Sequence, residues 1–379
     1  MIYLDNAATT KTCDEAIKAM TPYMNEKYGN PSSAYEFGNM GKEIMDEGRK
    51  KLSRIINCSP EEIYYTSGGT ESDNFAIKQA PKTFKGRGRH IITTGIEHHA
   101  ILHSCQAMER EGFRVTYLGV DRNGRIRLNE LINAISNETV LISVMHANNE
   151  IGTIEPIAKI GEIARKSGVL FHTDAVQSFC HIPIDVKHMN IDILSASSHK
   201  FHGPKGVGFM YVRDGIKIHP FMDGGSQEKG LRAGTGNVPG VAGMVAAATR
   251  AHENMRRNVK YVTGLRDYFI NRVMREIGGI RLNGHPVYRL PNNINISIKG
   301  VDGAVLMVML DLKGICVSTG SACTQNNTNP SHVLLAVGLS EAEAGNSIRI
   351  TLSEDNTKEE IDYTINVLKE EIKKLREKA

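Results

Sequence analysis

Ile191-Asp192-Ile193-Leu194-Ser195-Ala196-Ser197-Ser198-His199-Lys200-Phe201-His202-Gly203-Pro204-Lys205-Gly206 passes from an apolar run through small hydroxyl residues into a Gly-Pro turn. The apolar run reads as a strand, and the Gly-Pro pair ends the excursion that follows it. Lys200 therefore stands at a strand end among polar donors. Crowding and partial burial there lower an ammonium pKa and favour imine chemistry. A solvated loop lysine would carry the same local sequence, and the surrounding chain has to decide between the two.

Working upstream, Val169-Leu170-Phe171-His172-Thr173-Asp174-Ala175-Val176-Gln177 is a second strand that runs into polar residues. His172 and Asp174 share one strand face by the period of two. A metal pair there would need further ligands at usable spacing, and the sequence supplies none. Residues 115–118 and 140–145 are further strands alternating with helices, the β-α-β rhythm of an open, mainly parallel α/β sheet. The strand at 140–145 ends in His146-Ala147-Asn148-Asn149-Glu150, polar groups at the carboxyl end where such sheets bind ligands.

Strand 90–94 leads to Glu97-His98-His99-Ala100 at a helix start. These histidines do not make the H-E-x-x-H zinc pattern, and their plain reading is two exposed imidazoles. Strand 63–66 leads to Ser67-Gly68-Gly69-Thr70-Glu71-Ser72, where glycine exposes the free N–H groups of a helix start as an anion cradle. That cradle matches neither the Walker pattern nor G-x-G-x-x-G, so a nucleotide is not implied.

Elsewhere Asp14 is expected to cap a helix to about residue 24, and Met40, Ile44, Gly48, Leu52 and Ile55 to line one face of another. Residues 224–237 are a glycine-heavy exposed excursion. Helix 241–260 joins a second unit composed of helix 261–277, strand 293–298, helix 303–312 and strand 315–318. Residues 324–330 have no large apolar anchor and read as mobile, and strand 347–352 follows them. The Thr357-x-x-Glu360 capping box opens the last helix, with Ile361, Ile365, Leu368, Ile372 and Leu375 along one side.

A chain of 379 residues is long enough for one large and one small domain. Its net charge of +4 is small for that length, so nucleic acid is not indicated as the ligand. The N-terminus lacks the basic and apolar regions of a signal peptide, and the apolar run 304–310 is too short to span a bilayer. Cysteines at 13, 58, 105, 180, 316 and 323 form no C-x-x-C pair, which fits reduced thiols in a cytoplasm.

Taken in order, YLDNAATT (3–10), GNPSS (29–33), TSGGTESDN (66–74), HANNEIG (146–152), HTDAVQS (172–178), SSHKFHGPKG (197–206), RAGT (232–235) and GSACT (320–324) resemble the cysteine desulfurases of the class V aminotransferase superfamily, NifS/IscS type. The resemblance runs from Tyr3 to about Glu371. It implies a fold type I pyridoxal 5'-phosphate transferase, with a mainly parallel seven-stranded sheet sandwiched by helices and a smaller α+β domain. The expected division is 14–258 for the large, cofactor-binding domain, with 1–13 and 259–379 for the small one carrying Cys323.

The same resemblance implies roles for individual residues. Lys200 would hold the cofactor, Asp174 would pair with its pyridinium, and Gln177 and Asn149 would lie near its phenolic oxygen. His98 would stack on the ring and manage protons, and it or another cationic group would assist the thiolate. The Gly69 backbone, Thr70, Ser197 and His199 would take the phosphate, with Thr235 supplied by the other subunit of a homodimer. Arg349 would grip the substrate carboxylate, and Cys323 would take sulfur from L-cysteine, leaving L-alanine, before passing it to an acceptor protein for iron–sulfur assembly or thiolation. A class V transaminase has no use for a thiol on a polar arm. A selenocysteine lyase or a non-catalytic docking scaffold would be built on the same motifs. Tyr35, Gly236, Ser353 and Glu354 depart from the family pattern, in which histidine, glutamate, glycine and arginine are frequent.

Overall fold

A computed structural model describes residues 1–83, 86–319 and 330–378. In chain order its strands are β1 (Ile2–Tyr3), β2 (Ile63–Thr66), β3 (His90–Thr94), β4 (Arg114–Leu118), β5 (Thr139–Ser143), β6 (Leu170–Asp174), β7 (Ile193–Ser197), β8 (Gly208–Val212), β9 (Ile280–Leu282), β10 (Asn293–Ile298), β11 (Ile315–Cys316) and β12 (Ser347–Thr351). Strands β2 to β8 form a seven-stranded sheet in the order β2-β8-β7-β6-β5-β3-β4. All its pairings are parallel except those of β8, which runs antiparallel to both β2 and β7.

The period of two divides the strand residues between two cores. Ile92, Ile142, Phe171, Leu194 and Tyr211 face one side, with residues of helices Glu36–Ile56 and Ile157–Ser167. Their neighbours Ile91, Leu141, Leu170, Ile193 and Met210 face the other, with residues of helices Gly69–Thr83 and His99–Arg110. Strands β3, β5, β6, β7 and β8 are consequently buried along their whole length, as strands covered on both faces must be. Each fully buried side chain such as Leu194 or Phe171 stabilises this sandwich by about 1.5–3 kcal/mol.

A further core gathers Leu4, Ile294, Ile296, Leu306, Ile348, Ile350, Ile361 and Ile365. It lies against the antiparallel sheet β12-β10-β9 and the parallel pair β1-β11. One helix, Val238–Glu276, serves both regions: Val241, Met244 and Ala248 pack in the first core, and Val262, Phe269 and Val273 in this one. The sequence predicts two helices, 241–260 and 261–277, over that span. Gly264 is the one glycine in its middle, and it faces open space. A glycine there costs about 1 kcal/mol relative to alanine, too little to break a helix packed at both ends.

Two local expectations also change. Cys13, not Asp14, holds the N-cap position, without a side-chain cap, and the helix stops at Met20 before a separate turn, Pro22–Asn25. Pro22 has no N–H with which to continue the ladder. In helix Glu36–Ile56 the buried stripe is Gly41, Met45, Gly48, Leu52 and Ile56, while Met40 is exposed. The stripe follows the glycines: a Cβ on Gly48 would stand 2.5 Å from the Tyr65 hydroxyl, so only glycine admits this approach. At the other end of the chain the Thr357–Glu360 capping box forms in both directions.

Candidate active site

Strands β2, β3, β5, β6 and β7 point the same way, and the chain leaving each carboxyl end carries one of the expected residues. Together these loops line a cavity of about 380 Å³, closed on its far side by Ala7, Ala8 and Arg349. Gly69, Thr70, His98, Asn149, Asp174, Gln177, Ser197, His199 and Lys200 all line it.

Lys200 ends the short turn Ser198–Lys200 after β7. Its Nζ donates to the carbonyls of Ala7 at 2.6 Å and Ala8 at 2.8 Å, and its own carbonyl lies 3.0 Å from His181 Nε2. It is not a solvated loop lysine. The carboxylate of Asp174, last in β6, accepts the Val176 N–H at 2.8 Å. Burial pushes this acid up to about 6, against the pull of that N–H and of the Lys200 charge. Behind it Asp73 is fully buried and pushed well up, first by burial and then by Asp174 itself. His172 is tied between Ser143 Oγ at 2.9 Å and Ser195 Oγ at 3.0 Å, and burial holds it down to about 3. It buttresses the floor of the site. Among the described residues no group of three or more His, Cys, Asp or Glu could hold a metal ion.

His98 is the N-cap of helix His99–Arg110, and its Nδ1 accepts the Ala100 N–H at 3.1 Å. The neutral ring therefore carries its proton on Nε2. Burial, followed by the Lys200 charge and the His99, His332 and His103 rings, holds it down to about 4. His98 and His99 are thus partly buried members of an imidazole cluster, not two exposed rings. The downward shift of His98 favours the uncharged ring, whose Nε2–H is left as a donor toward the cavity.

The anion cradle stands at the start of helix Gly69–Thr83. A Cβ on Gly69 would lie 2.5 Å from Val176 Cγ2, so the bare backbone is a condition of the close approach. Beside it His199 Nδ1 lies 3.1 Å from Thr9 Oγ1, and burial holds that ring down to about 4. Arg349, on β12, reaches across from the smaller sheet. Its Nη1 donates to the Asn149 carbonyl at 3.2 Å and its Nη2 to Asp5 Oδ1 at 2.7 Å.

Thr235 is exposed in the loop before helix Val238–Glu276 and does not line the cavity of its own chain. Cys323 and the polar run expected to move lie outside the described residues, apart from Pro330. The described flanks of that run meet the site: Ser318 exchanges two backbone hydrogen bonds with Arg349, and His332 lines the cavity. Cys58 and Cys105 are pushed up to about 12, and Cys180 higher still, by burial. Such thiols pack as small hydrophobes.

Tyr35, Gly236, Ser353 and Glu354 do not line the cavity. Glu354 instead pairs with Arg250 at 3.0 Å and His202 at 3.4 Å behind the lysine loop. The residues missed from the sequence are Asp5, Ala7, Ala8, Asp73, Glu97 and His332, which touch the cavity or its residues. Tyr3 to Thr10 reads as a strand ending in a turn. The small pair Ala7-Ala8 was the signal available, because only small side chains let backbone carbonyls approach a lysine this closely.

The aminotransferase class-V family profile matches residues 2–364. A cysteine desulfurase IscS of Methanosarcina thermophila is 48% identical over 99% of this chain and 93% of its own length. One from Dictyoglomus turgidum is 49% identical over 99% and 95%. Among solved structures, a NifS-like protein superimposes with a TM-score of 0.92 at 39% identity, covering 98% of this chain and 99% of its own. SspA in complex with cysteine superimposes with a TM-score of 0.82 at 34% identity, covering 94% and 100%.

Proposed function

Because this chain belongs to the aminotransferase class-V family, we infer that it is a cysteine desulfurase, an enzyme converting L-cysteine to L-alanine with transfer of the sulfur to a cysteine of its own. The observation that carries this reading is the convergence of an amine, a buried carboxyl, an uncharged imidazole, a guanidinium and a helix N-terminus on one cavity.

These groups fit pyridoxal 5'-phosphate, which when bound would supply an electron sink for the pair left as the Cα proton departs and so assist Cβ–S cleavage. Lys200 would hold it through its amine, and its free Nζ would be the base for the Cα proton. Asp174 is the anion for its ring nitrogen, and a cation there would draw this acid below the value near 6 that burial gives it. Gly69, Thr70, Ser197 and His199 are the phosphate holders, Gln177 and Asn149 serve the phenolic oxygen, and His98 covers the ring. Arg349 takes the substrate carboxylate, since its planar fork matches that anion in two places. The Cys323 thiolate forms the S–S bond as the substrate Cβ–S bond breaks. The electron pair stays on Cβ, which gains a proton to give alanine, and His98, with Nδ1 held by the Ala100 N–H, presents its Nε2–H to the site as a donor.

The division into 14–258, and 1–13 with 259–379, is supported by the separate core around Leu4, Ile294 and Ile348, although Val333, Leu334, Val337, Leu339 and Ala344 pack in the core of the larger unit. It sets Asp5 and Arg349 on the smaller unit, facing Lys200 and Asp174 on the larger. A homodimer completed by Thr235 of the neighbour is supported by the exposure of that residue; a monomer with full cofactor and full turnover would contradict it. A cytoplasmic setting and an acceptor protein for the sulfur complete the reading. No helix of the described residues is long and apolar enough to cross a membrane.

Borohydride reduction of the holoenzyme followed by peptide mapping tests the site. The cofactor label is expected on Lys200, and a label on Lys205 instead, or none, defeats the assignment.

A further inference from the structure

Among the described residues Arg349 is the largest side chain that is fully buried, yet it lines the cavity. Two of its nitrogens are used: Nη1 on the Asn149 carbonyl and Nη2 on Asp5 Oδ1. Its Nε is buried and has no partner among the described residues. Nε and Nη2 lie side by side on one edge of the fork, the edge a carboxylate takes with both oxygens. Asp5 meets that edge with one oxygen, at 2.7 Å, and leaves Nε unmade. A buried donor without a partner is costly and calls for an explanation.

The rest of Asp5 is anchored without its side chain. Its backbone bridges to Thr351, and its carbonyl accepts from the Ala8 N–H at 2.9 Å and the Tyr3 hydroxyl at 3.1 Å. The carboxylate is thus not needed to hold the segment in place. Its side-chain hydrogen bond goes to Arg349.

We propose that Asp5 is a positioning residue that sets specificity for an α-carboxylate: it orients the Arg349 guanidinium so that the unpartnered Nε–H is offered to the substrate carboxylate. The proposal rests on the desulfurase reading and deepens it. Asp5 also supplies the counter-charge that a buried cation requires before substrate arrives. Loss of the carboxylate releases the fork, whereas an asparagine keeps an oxygen acceptor for Nη2 and preserves the orientation.

The test uses cofactor-loaded wild type, Asp5→Ala, Asp5→Asn and Arg349→Ala, with cofactor absorbance per chain measured first. Steady-state kinetics with L-cysteine are run beside binding of L-alanine and of ethylamine, its analogue without the carboxylate, read from the shift in cofactor absorbance. Asp5→Ala is expected to raise KM and the L-alanine Kd about tenfold, equivalent to about 1.4 kcal/mol, with kcat changed by less than about threefold. Ethylamine binding should not move, and Asp5→Asn should stay within about threefold of wild type. An unchanged L-alanine Kd in Asp5→Ala overturns the proposal. So does an equal loss of L-alanine and ethylamine binding in both Asp5 variants, which marks a structural role. An Arg349→Ala enzyme that still prefers L-alanine removes the carboxylate site and the proposal with it. A wild type that makes no alanine from cysteine sinks the reaction alone, because the binding ratios need no turnover.

Discussion

His98 owes its uncharged state to burial first and to the Lys200 ammonium next. With a value near 4 it carries no proton on Nδ1 throughout the range in which an enzyme normally works, and Nδ1 is engaged by the Ala100 N–H. Protonation would break that cap. His98→Ala is expected to keep cofactor absorbance but lose kcat by about 10²–10⁴-fold, the usual weight of a positioned acid–base group. Because the folded value lies below the ordinary one, wild-type turnover should show no His98-linked loss from pH 8 to 5, the loss beginning only near 4. A variant with wild-type kcat would take His98 out of proton transfer. At this scale Lys200, Asp174 and His98 were legible in the sequence, since each stands at the carboxyl end of a recognisable strand. Asp5 was not. A carboxylate between a two-residue strand and a polar turn looks like a turn former, and only the fold brings it to a residue 344 positions away.

Among the elements, the loop that follows Lys200 is pinned by a chain of charged residues that runs through Glu354. His202 adopts φ 66°, its N–H reaches Thr10 Oγ1 at 2.8 Å, and its ring lies between the Lys11 carbonyl and Glu354. Arg250 joins Glu354 to Glu15, and Asp355 and His181 are the other titratable neighbours. Burial works against both charged forms. The His202 ring 3.4 Å away and the Arg250 charge nevertheless hold Glu354 down to about 2, and the same partnership raises His202. The depressed carboxyl contributes stability above its unfolded value near 4.5 that is lost as pH falls toward 2. The raised imidazole contributes below its unfolded value near 6.5 and loses that contribution as pH rises through its folded value. Glu354→Gln should therefore destabilise most between about pH 4.5 and 6.5, by about 1–3 kcal/mol, and progressively less at pH 8 or above. Thermal midpoints of both proteins across pH 3–9 check this, and a difference that stays flat with pH would exclude the pair as the cause. The strands were legible here because their apolar runs are bounded by turn residues. The union of two expected helices into Val238–Glu276 was not, because packing at both ends, absent from local sequence, outweighs one glycine.

At the scale of the whole molecule, the mainly parallel sheet aligns five strand ends along one edge, and the smaller unit brings Arg349 and Asp5 over them. The sheet class followed from the β-α-β rhythm. The contact between the units did not, because it joins residues far apart in the chain: Lys200 to the Ala7 and Ala8 carbonyls, Arg349 to the Asn149 carbonyl, and Glu354 to Arg250 and His202. On either side of 320–329, Ser318 is bonded to Arg349 and His332 lines the cavity wall. The central claim, that sulfur leaves L-cysteine in this cavity and passes to Cys323, is tested most directly by one single-turnover measurement. The holoenzyme is mixed with L-[35S]cysteine without reductant, alanine is quantified, and the labelled peptide is identified. Equimolar alanine and label are expected, with the label on the Cys323 peptide and both lost in Lys200→Ala. Alanine formed without label on that peptide, or label retained in Lys200→Ala, would contradict the claim.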